Sequence, residues 1–193
     1  MIDETITFKK INIAVITLSD TRKESDDKSG NTLKDLILQK GHDVSHYQII
    51  EDEPEIFIPI IQDLTNTVEN DVIITTGGTG LTGRDNTIDA LKKISQIEIP
   101  GFGELFRQLS YQKIGTSTIQ SRASAFLLNQ TYIFCLPGST SAVRDAWNDI
   151  LFHQLDIRHK PCNFIELIPR LDEWICRWCC LLYTSDAADE GLG

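Results

Sequence analysis

Four short segments carry the residue types that could do chemistry, and each follows a mostly apolar run. The most informative is Thr76-Gly77-Gly78-Thr79-Gly80, with Asp85 downstream. Glycines let a backbone turn sharply and expose consecutive amides, which makes a concavity suited to an anion. Thr76 and Thr79 add hydroxyl donors. The other three segments are Ser19-Asp20, Glu51-Asp52-Glu53 and Pro137-Gly138-Ser139-Thr140. If they meet, Asp20, Asp52 and Asp85 place carboxylates where a magnesium–phosphate ligand needs them, whereas clustered acids without a cation repel one another. Asp85 also reads more simply as a helix N-cap that binds nothing. Pro137 to Thr140 reads as a tight turn with a Ser or Thr cap, whose amides could hold a second anionic group.

Other chemistries fit poorly. Gly78-x-Gly80-x-x-Gly83 matches the dinucleotide fingerprint letter for letter, but it follows the third strand rather than the first. Ile97 to Gly101 also offers no long strand ending in a ribose-binding acid. The Gly-Lys-Ser/Thr of a Walker A loop is missing. Cys135 and Cys162 lie in the body and three cysteines crowd the last residues, which is no disulfide framework. Cys176-x-x-Cys179 lacks the second ligand pair of a structural zinc. His42, His46, His153 and His159 read as surface or supporting groups. Arg107 is expected to pair with Glu104 at i, i+3, and Arg122 has no local partner.

The elements that position these loops follow from hydrophobic period. Ile11 to Leu18 is a β-branched run of strand length, as expected of a central parallel strand covered on both faces. A polar loop through Gly30 then leads to a helix with Leu33, Leu36, Ile37 and Lys40, closed by Gly41. Val44 to Ile50 is a second strand. Pro54 suits the first turn of a helix capped by Asp52 or Glu53, with Phe57, Ile60, Ile61, Leu64 and Val68 on one face. Val72 to Thr75 is a third strand, followed by the glycine loop and a helix carrying Ile88, Leu91 and Ile94. Pro100-Gly101 breaks the chain before a helix whose face holds Phe102, Leu105, Phe106 and Leu109. Tyr132 to Leu136 is a fourth strand, and the helix after it presents Val143, Ala146, Trp147, Ile150 and Leu151. Alternating strands and helices imply an α/β domain with a mainly parallel sheet flanked by helices, in which ligands sit at the carboxyl ends of the strands.

The chain has 193 residues, 41% apolar and 24% charged, which is the profile of one folded globular domain. From about Glu173 its character changes. Trp174 to Tyr183 crowds tryptophans and cysteines, and Cys180 to Glu190 resembles translated sequencing-adapter strings. Residues 172–193 are therefore set aside as a non-native tail, 11–171 form the domain, and 1–10 are an N-terminal extension. The formal charge of −10, or −6 without that tail, argues against nucleic acid, which needs clustered Lys and Arg. No apolar run is long enough for a membrane span, and the acidic N-terminus lacks a signal peptide's basic and apolar regions, so the cytoplasm is expected.

Several ordered motifs resemble the MoaB/MogA molybdopterin-binding family. They are Thr75-Thr76-Gly77-Gly78-Thr79-Gly80 with Asp85, Pro100-Gly101-Phe102-Gly103-Glu104 with Arg107-Gln108-Leu109-Ser110, and Leu136-Pro137-Gly138-Ser139. Thr116 to Ala123 and Arg158 to Phe164 are similar to the MoaB branch in particular, and the match spans roughly residues 10–165. The resemblance implies a three-layer α/β/α fold with a mostly parallel sheet, assembled as a homotrimer or hexamer that binds molybdopterin and contacts other molybdenum-cofactor biosynthesis proteins. In the family's catalytic members, Mg2+ and ATP convert molybdopterin to its adenylylated form with release of pyrophosphate. Two family aspartates implicated in that reaction carry over to Asp52 and Asp85, as catalytic and magnesium-holding groups. The implied ligand-binding residues are Ser19, Asp20, Thr76, Gly77, Gly78, Thr79, Gly80, Pro137, Gly138 and Ser139. The family also contains inactive members, so a binding or scaffold protein without turnover is the alternative.

Overall fold

The computed structural model describes residues 1–67 and 69–171. The expectations for Val68 and for the 172–193 tail, including Cys176 and Cys179, lie outside the described residues. The strands are β1 (Asn12–Leu18), β2 (Asp43–Ile50), β3 (Val72–Thr76), β4 (Ile97–Glu98), β5 (Ser124–Leu128) and β6 (Thr131–Leu136). They form one sheet in the order β2-β1-β3-β6-β5-β4. The β1–β2, β1–β3 and β3–β6 pairs are parallel, and β5 runs antiparallel to both neighbours. Five strands thus point the same way and bring their carboxyl ends to one edge.

Alternation along β1 builds two cores. Ile13 and Val15 face a cluster with Leu33 and Ile37 of α1 (Lys28–Lys40), Phe102 and Phe106 of α4 (Pro100–Ile114), and Val143 and Ala146 of α5 (Thr140–Ala146). Ala14, Ile16 and Leu18 face the opposite cluster, with Phe57 and Ile61 of α2 (Pro54–Asn66) and Ile88 and Leu91 of α3 (Thr87–Ile94). A strand has a side-chain period of two, so a continuous apolar run needs helices on both faces, and the three-layer expectation is met. The α5 helix continues through a π-helical turn, Trp147–Leu151, to Phe152–Gln154. That turn seats Trp147, which is 1% exposed. Each such large side chain contributes about 2 kcal/mol of burial free energy.

The main departures are local. The sheet has an antiparallel hairpin that the strand–helix alternation left out: β5 returns into β6 through Asn129-Gln130, with Asn129 at φ 51°. Asn tolerates this left-handed conformation better than most residues. The α1 helix starts at Lys28, before Gly30, because Asp27 caps it by accepting the Gly30 amide at 2.9 Å. Gly41 closes it at φ 98°, as expected. Pro100 and Gly101 form the first turn of α4 rather than a break before it, since proline suits N1. Leu105, assigned to the core face of that helix, is 41% exposed. His42 is buried at 1% exposure, not a surface group, because the turn after Gly41 folds it under Phe8, with ring centroids 5.0 Å apart. Residues of the N-terminal extension are tied to the far end of the domain: the Asp3 amide donates to Arg158 O, and the Lys160 amide to Met1 O.

Candidate functional site

The four loops do converge at the carboxyl edge of the sheet. The Gly77 amide donates to the Leu136 carbonyl at 3.0 Å, and Gly138 lies against Gly77, so the loops after β3 and β6 are in contact. Gly77 has φ 118°, and a Cβ there would meet the Leu18 carbonyl at 2.2 Å, which presses the same loop onto the end of β1. The Ser19 amide donates to Ile50 O at 2.8 Å and the Asp52 amide to Asp20 Oδ1 at 3.1 Å, joining the ends of β1 and β2. Only glycine suits this arrangement: at Gly78, with φ 64°, a side chain would meet Thr87 Oγ1 at 1.9 Å and the Asp52 carboxylate oxygens at 2.6 and 2.8 Å.

Asp52 and Asp85 therefore flank the loop, Asp52 against Gly78 and Asp85 against Gly80, where a Cβ would lie 2.7 Å from Asp85 Oδ2. Burial pushes the Asp52 carboxyl above its ordinary pKa. The charges of Asp85, Asp20 and Glu53 add to the rise, against a hydrogen bond from Thr87. Burial acts upward on Asp85 too, but it is outweighed. The Thr82 hydroxyl and amide donate to Asp85 Oδ2 at 2.6 and 2.8 Å, and the Gly80 amide and the Arg122 charge add to them, so its pKa is lowered. Asp85 is thus neither a helix cap nor free: α3 begins at Thr87 with Asn86 in the cap position, and Asp85 closes a turn inside the loop. Likewise, Glu53 takes the cap position of α2 without a side-chain bond, which leaves Asp52 turned to Gly78 and Thr87.

The remaining expected residues divide in their roles. The Thr76 hydroxyl is fully buried and donates to the Pro137 carbonyl at 3.2 Å, so it ties two loops together instead of offering a donor to the crevice. Thr79 is 4% exposed. Ser139 caps α5, accepting the Ala142 amide at 3.2 Å, and stays exposed. Asp20 is exposed and lies 3.6 Å from Arg84.

Two arginines that composition and spacing left unassigned hold the site together. Arg22 donates to the Gly138 carbonyl at 2.8 Å and to Ser29 Oγ at 2.7 Å, and it lies 3.6 Å from Asp27. Asp27 is fully buried and accepts from Thr17, Gly30, Ser29 and Tyr47. Arg122 donates through Nε to Gly80 O at 2.8 Å, through Nη2 to Asp85 O, and through Nη1 to Asp89 Oδ2 at 2.7 Å. Arg107 does not pair with Glu104. It reaches the carbonyls of Ser121 and Ala123 at 3.4 and 3.2 Å, because the segment after α4 folds back over the helix. Nothing in the neighbouring sequence marks Arg22 or Arg122, since the groups they hold lie up to 116 residues away.

A cavity of about 470 Å³ opens at the ends of β1 and β2, lined by Ser19, Asp20, Arg22, Tyr47 and Glu51 among others. A smaller one, about 150 Å³, reaches Pro137 and Ser139 from the α4 side. Both adjoin the glycine loop without being lined by it. Among the described residues no group of three or more His, Cys, Asp and Glu side chains converges as a protein-only metal cage would. The donor set instead fits a hard ion such as magnesium, which takes one or two carboxylates and completes its shell from phosphate oxygens and water. Asp52 meets that requirement, since a carboxyl crowded by like charges gains from a cation.

Comparison with known proteins places this geometry in context. A family model described as "Probable molybdopterin binding domain" (MoCF_biosynth) matches residues 14–157. The molybdenum cofactor biosynthesis protein B of Escherichia coli (strain K12) is 43% identical over 157 residues, covering 81% of this chain and 92% of that protein. A crystal structure of a molybdenum cofactor biosynthesis protein B superposes with a TM-score of 0.74 at 40% identity, over 76% of this chain and 92% of its own. The tungsten cofactor synthesizing protein MoaB from Pyrococcus furiosus gives a TM-score of 0.64 at 35% identity, over 74% and 91%.

Proposed function

This chain belongs to the MoCF_biosynth family of molybdopterin-binding domains, and from that membership we propose that it serves molybdenum-cofactor biosynthesis by binding molybdopterin and adenylylating it with ATP. The observation that carries the reading is the glycine loop held between Asp52 and Asp85 at the carboxyl edge of the sheet. In the proposed reaction a terminal phosphate oxygen of molybdopterin attacks the α-phosphorus of ATP. A P–O bond forms there as the bond to the β-phosphate oxygen breaks, and pyrophosphate leaves.

Such a transfer is accelerated by alignment and by neutralising two approaching anions. Magnesium held by Asp52 and Asp85 supplies that neutralisation when bound. The chain's own residues do the aligning. The Gly77 amide is taken by Leu136 O and the Gly80 amide by Asp85, so the amides of Gly78, Thr79, Gly138 and Ser139 receive phosphate oxygens, while Ser19 and Asp20 border the entrance and Arg22 fixes the second loop through Gly138. No general base is needed, because the attacking phosphate is already ionised at neutral pH. The four histidines accordingly have no part in the reaction.

We assign the protein to the cytoplasm as a homo-oligomer, a trimer or hexamer. The exposed Leu105, Tyr111, Ile114 and Ile119 along α4 and the turn after it are a surface such an assembly would cover. Among the described residues, no helix is long and apolar enough to cross a membrane.

The test is to mix the protein with molybdopterin and Mg-ATP and follow the adenylylated product. Wild-type protein should form it, and Asp85→Asn should lose turnover while keeping pterin affinity. Pterin binding without product in the wild type would leave a binding or scaffold protein and overturn the catalytic assignment.

A further inference from the structure

The loop that carries Asp85 is tied to the helix it leads into at Gly83, whose carbonyl accepts from the Asn86 side-chain amide group at 2.9 Å. The carbonyls on either side are held by one side chain from another part of the chain: Arg122 takes Gly80 O and Asp85 O through two arms of its guanidinium, and its own amide donates to Thr79 O at 3.1 Å. The third arm pairs with Asp89 on α3. A planar fork with fixed donor directions can satisfy two carbonyls and a carboxylate at once, which a lysine ammonium on a flexible stem does poorly. Arg122 is in turn fixed by its neighbours. Arg107 of α4 grips the carbonyls on either side of it, at Ser121 and Ala123. Ala123 O also lies where only a glycine lets it come, 2.3 Å from the place a Cβ would take on Gly103. The mount therefore runs from α4 through Gly103 and Arg107 to Arg122 and on to the loop.

We infer that Arg122 is a positioning residue: it holds the Gly80–Asp85 loop, from a mount on α4, in the form that presents the Asp85 carboxylate to a phosphate-bound cation. The inference rests on the proposed adenylyl transfer for its consequence but not for its geometry. Arg122 donates to main-chain oxygens and to Asp89, so its part is to fix the loop rather than to touch a reacting atom. Removing it frees two carbonyls and lets the loop relax, and a displacement of about 1 Å at a reacting group costs on the order of 100-fold in rate.

The experiment uses the full chain with molybdopterin and Mg-ATP, comparing wild type, Arg122→Ala, Arg122→Lys and Gly103→Ala. Amide hydrogen exchange across residues 79–85 is measured on the same samples. Arg122→Ala should lower kcat by about 100-fold with KM for molybdopterin within about threefold. Arg122→Lys should fall between it and wild type, and Gly103→Ala should lower kcat although it lies away from the crevice. Added guanidinium ion should restore part of the Arg122→Ala turnover where sodium at equal ionic strength does not. The Thr82 amide, which donates to Asp85, should exchange at least about tenfold faster in Arg122→Ala while sheet amides are unchanged. If folded Arg122→Ala and Gly103→Ala keep wild-type kcat, or guanidinium restores nothing, the inference is overturned. If wild type itself makes no product, the proposed reaction fails instead. The exchange data then decide alone: faster exchange confined to 79–85 upholds the mount, and unchanged exchange overturns it.

Discussion

Replacing Gly78 by alanine should damage the protein in two separable ways. The backbone there sits at φ 64°, and a non-glycine residue held in such a conformation costs about 1–3 kcal/mol. The new methyl would also lie 1.9 Å from Thr87 Oγ1 and 2.6 and 2.8 Å from the Asp52 oxygens, so the carboxylate must retreat by roughly 0.7 Å to reach ordinary contact. Together the two effects amount to about 3 kcal/mol, which for a domain of this size lowers Tm by about 6–12 °C. Moving Asp52 that far should reduce turnover by on the order of 100-fold. The assay is thermal unfolding followed by calorimetry, beside the adenylyl-transfer assay, with Gly83→Ala as the control. Gly83 lies in the same loop, but a Cβ there has nothing within 4 Å, and that variant should match wild type in Tm. Equal effects of the two substitutions, or a Gly78→Ala protein as stable as wild type, would refute the contact between Gly78 and Asp52.

Four further outcomes follow from the ionisable groups and their partners. Because the Asp52 pKa is raised on folding, its ionised form costs stability above that pKa. Asp52→Asn should therefore melt higher than wild type at pH 7 in calorimetry, while losing turnover. Asp85 is lowered instead, so its contribution is present above the ordinary pKa of 3.8 and is lost as pH falls through the folded value. Asp85→Asn should melt lower than wild type at pH 7. Burial holds His42 at about 4 against 6.5 unfolded, so stability is full above pH 6.5 and falls toward pH 4 by about 3 kcal/mol. His42→Gln should flatten that limb in denaturant titrations run across the window. Asp27→Ala would leave Thr17, Ser29, Gly30 and Tyr47 donors without their acceptor in a buried site, and should cost about 3 kcal/mol or more by urea unfolding.

How far the chain could be read in advance depended on whether the information was local. The runs at β1, β3 and β6 carry their own period, and Gly41, Pro54 and the glycines after β3 are punctuation with a fixed steric meaning. The three-layer architecture and the meeting of four loops follow from these. Ser124 to Leu128 is not legible alone, because its four apolar residues Ala125 to Leu128 fit a helix face as well, and only its partner across Asn129-Gln130 makes it a strand. His42 was misplaced because its environment is made by Phe8, far back in the chain. Asp85 and Asp52 are legible as acids near a turn; of the two cap candidates for α2 it is Glu53 that holds the position, and for α3 it is Asn86 in place of Asp85, neither with a side-chain bond. Arg22, Arg107 and Arg122 were the least legible, since an arginine's reach lets it choose carbonyls from any segment the fold brings near.

The central claim is that the bend between Asp52 and Asp85 receives a phosphate together with its divalent ion. Its most direct test is a titration of isotope-labelled protein with ATP and substoichiometric Mn2+ in place of Mg2+, read as paramagnetic broadening of backbone amides. Broadening should be strongest at Asp52, Gly78, Gly80 and Asp85 and should require ATP. Broadening centred elsewhere, or the same pattern in an Asp52→Asn, Asp85→Asn double variant, would contradict the account.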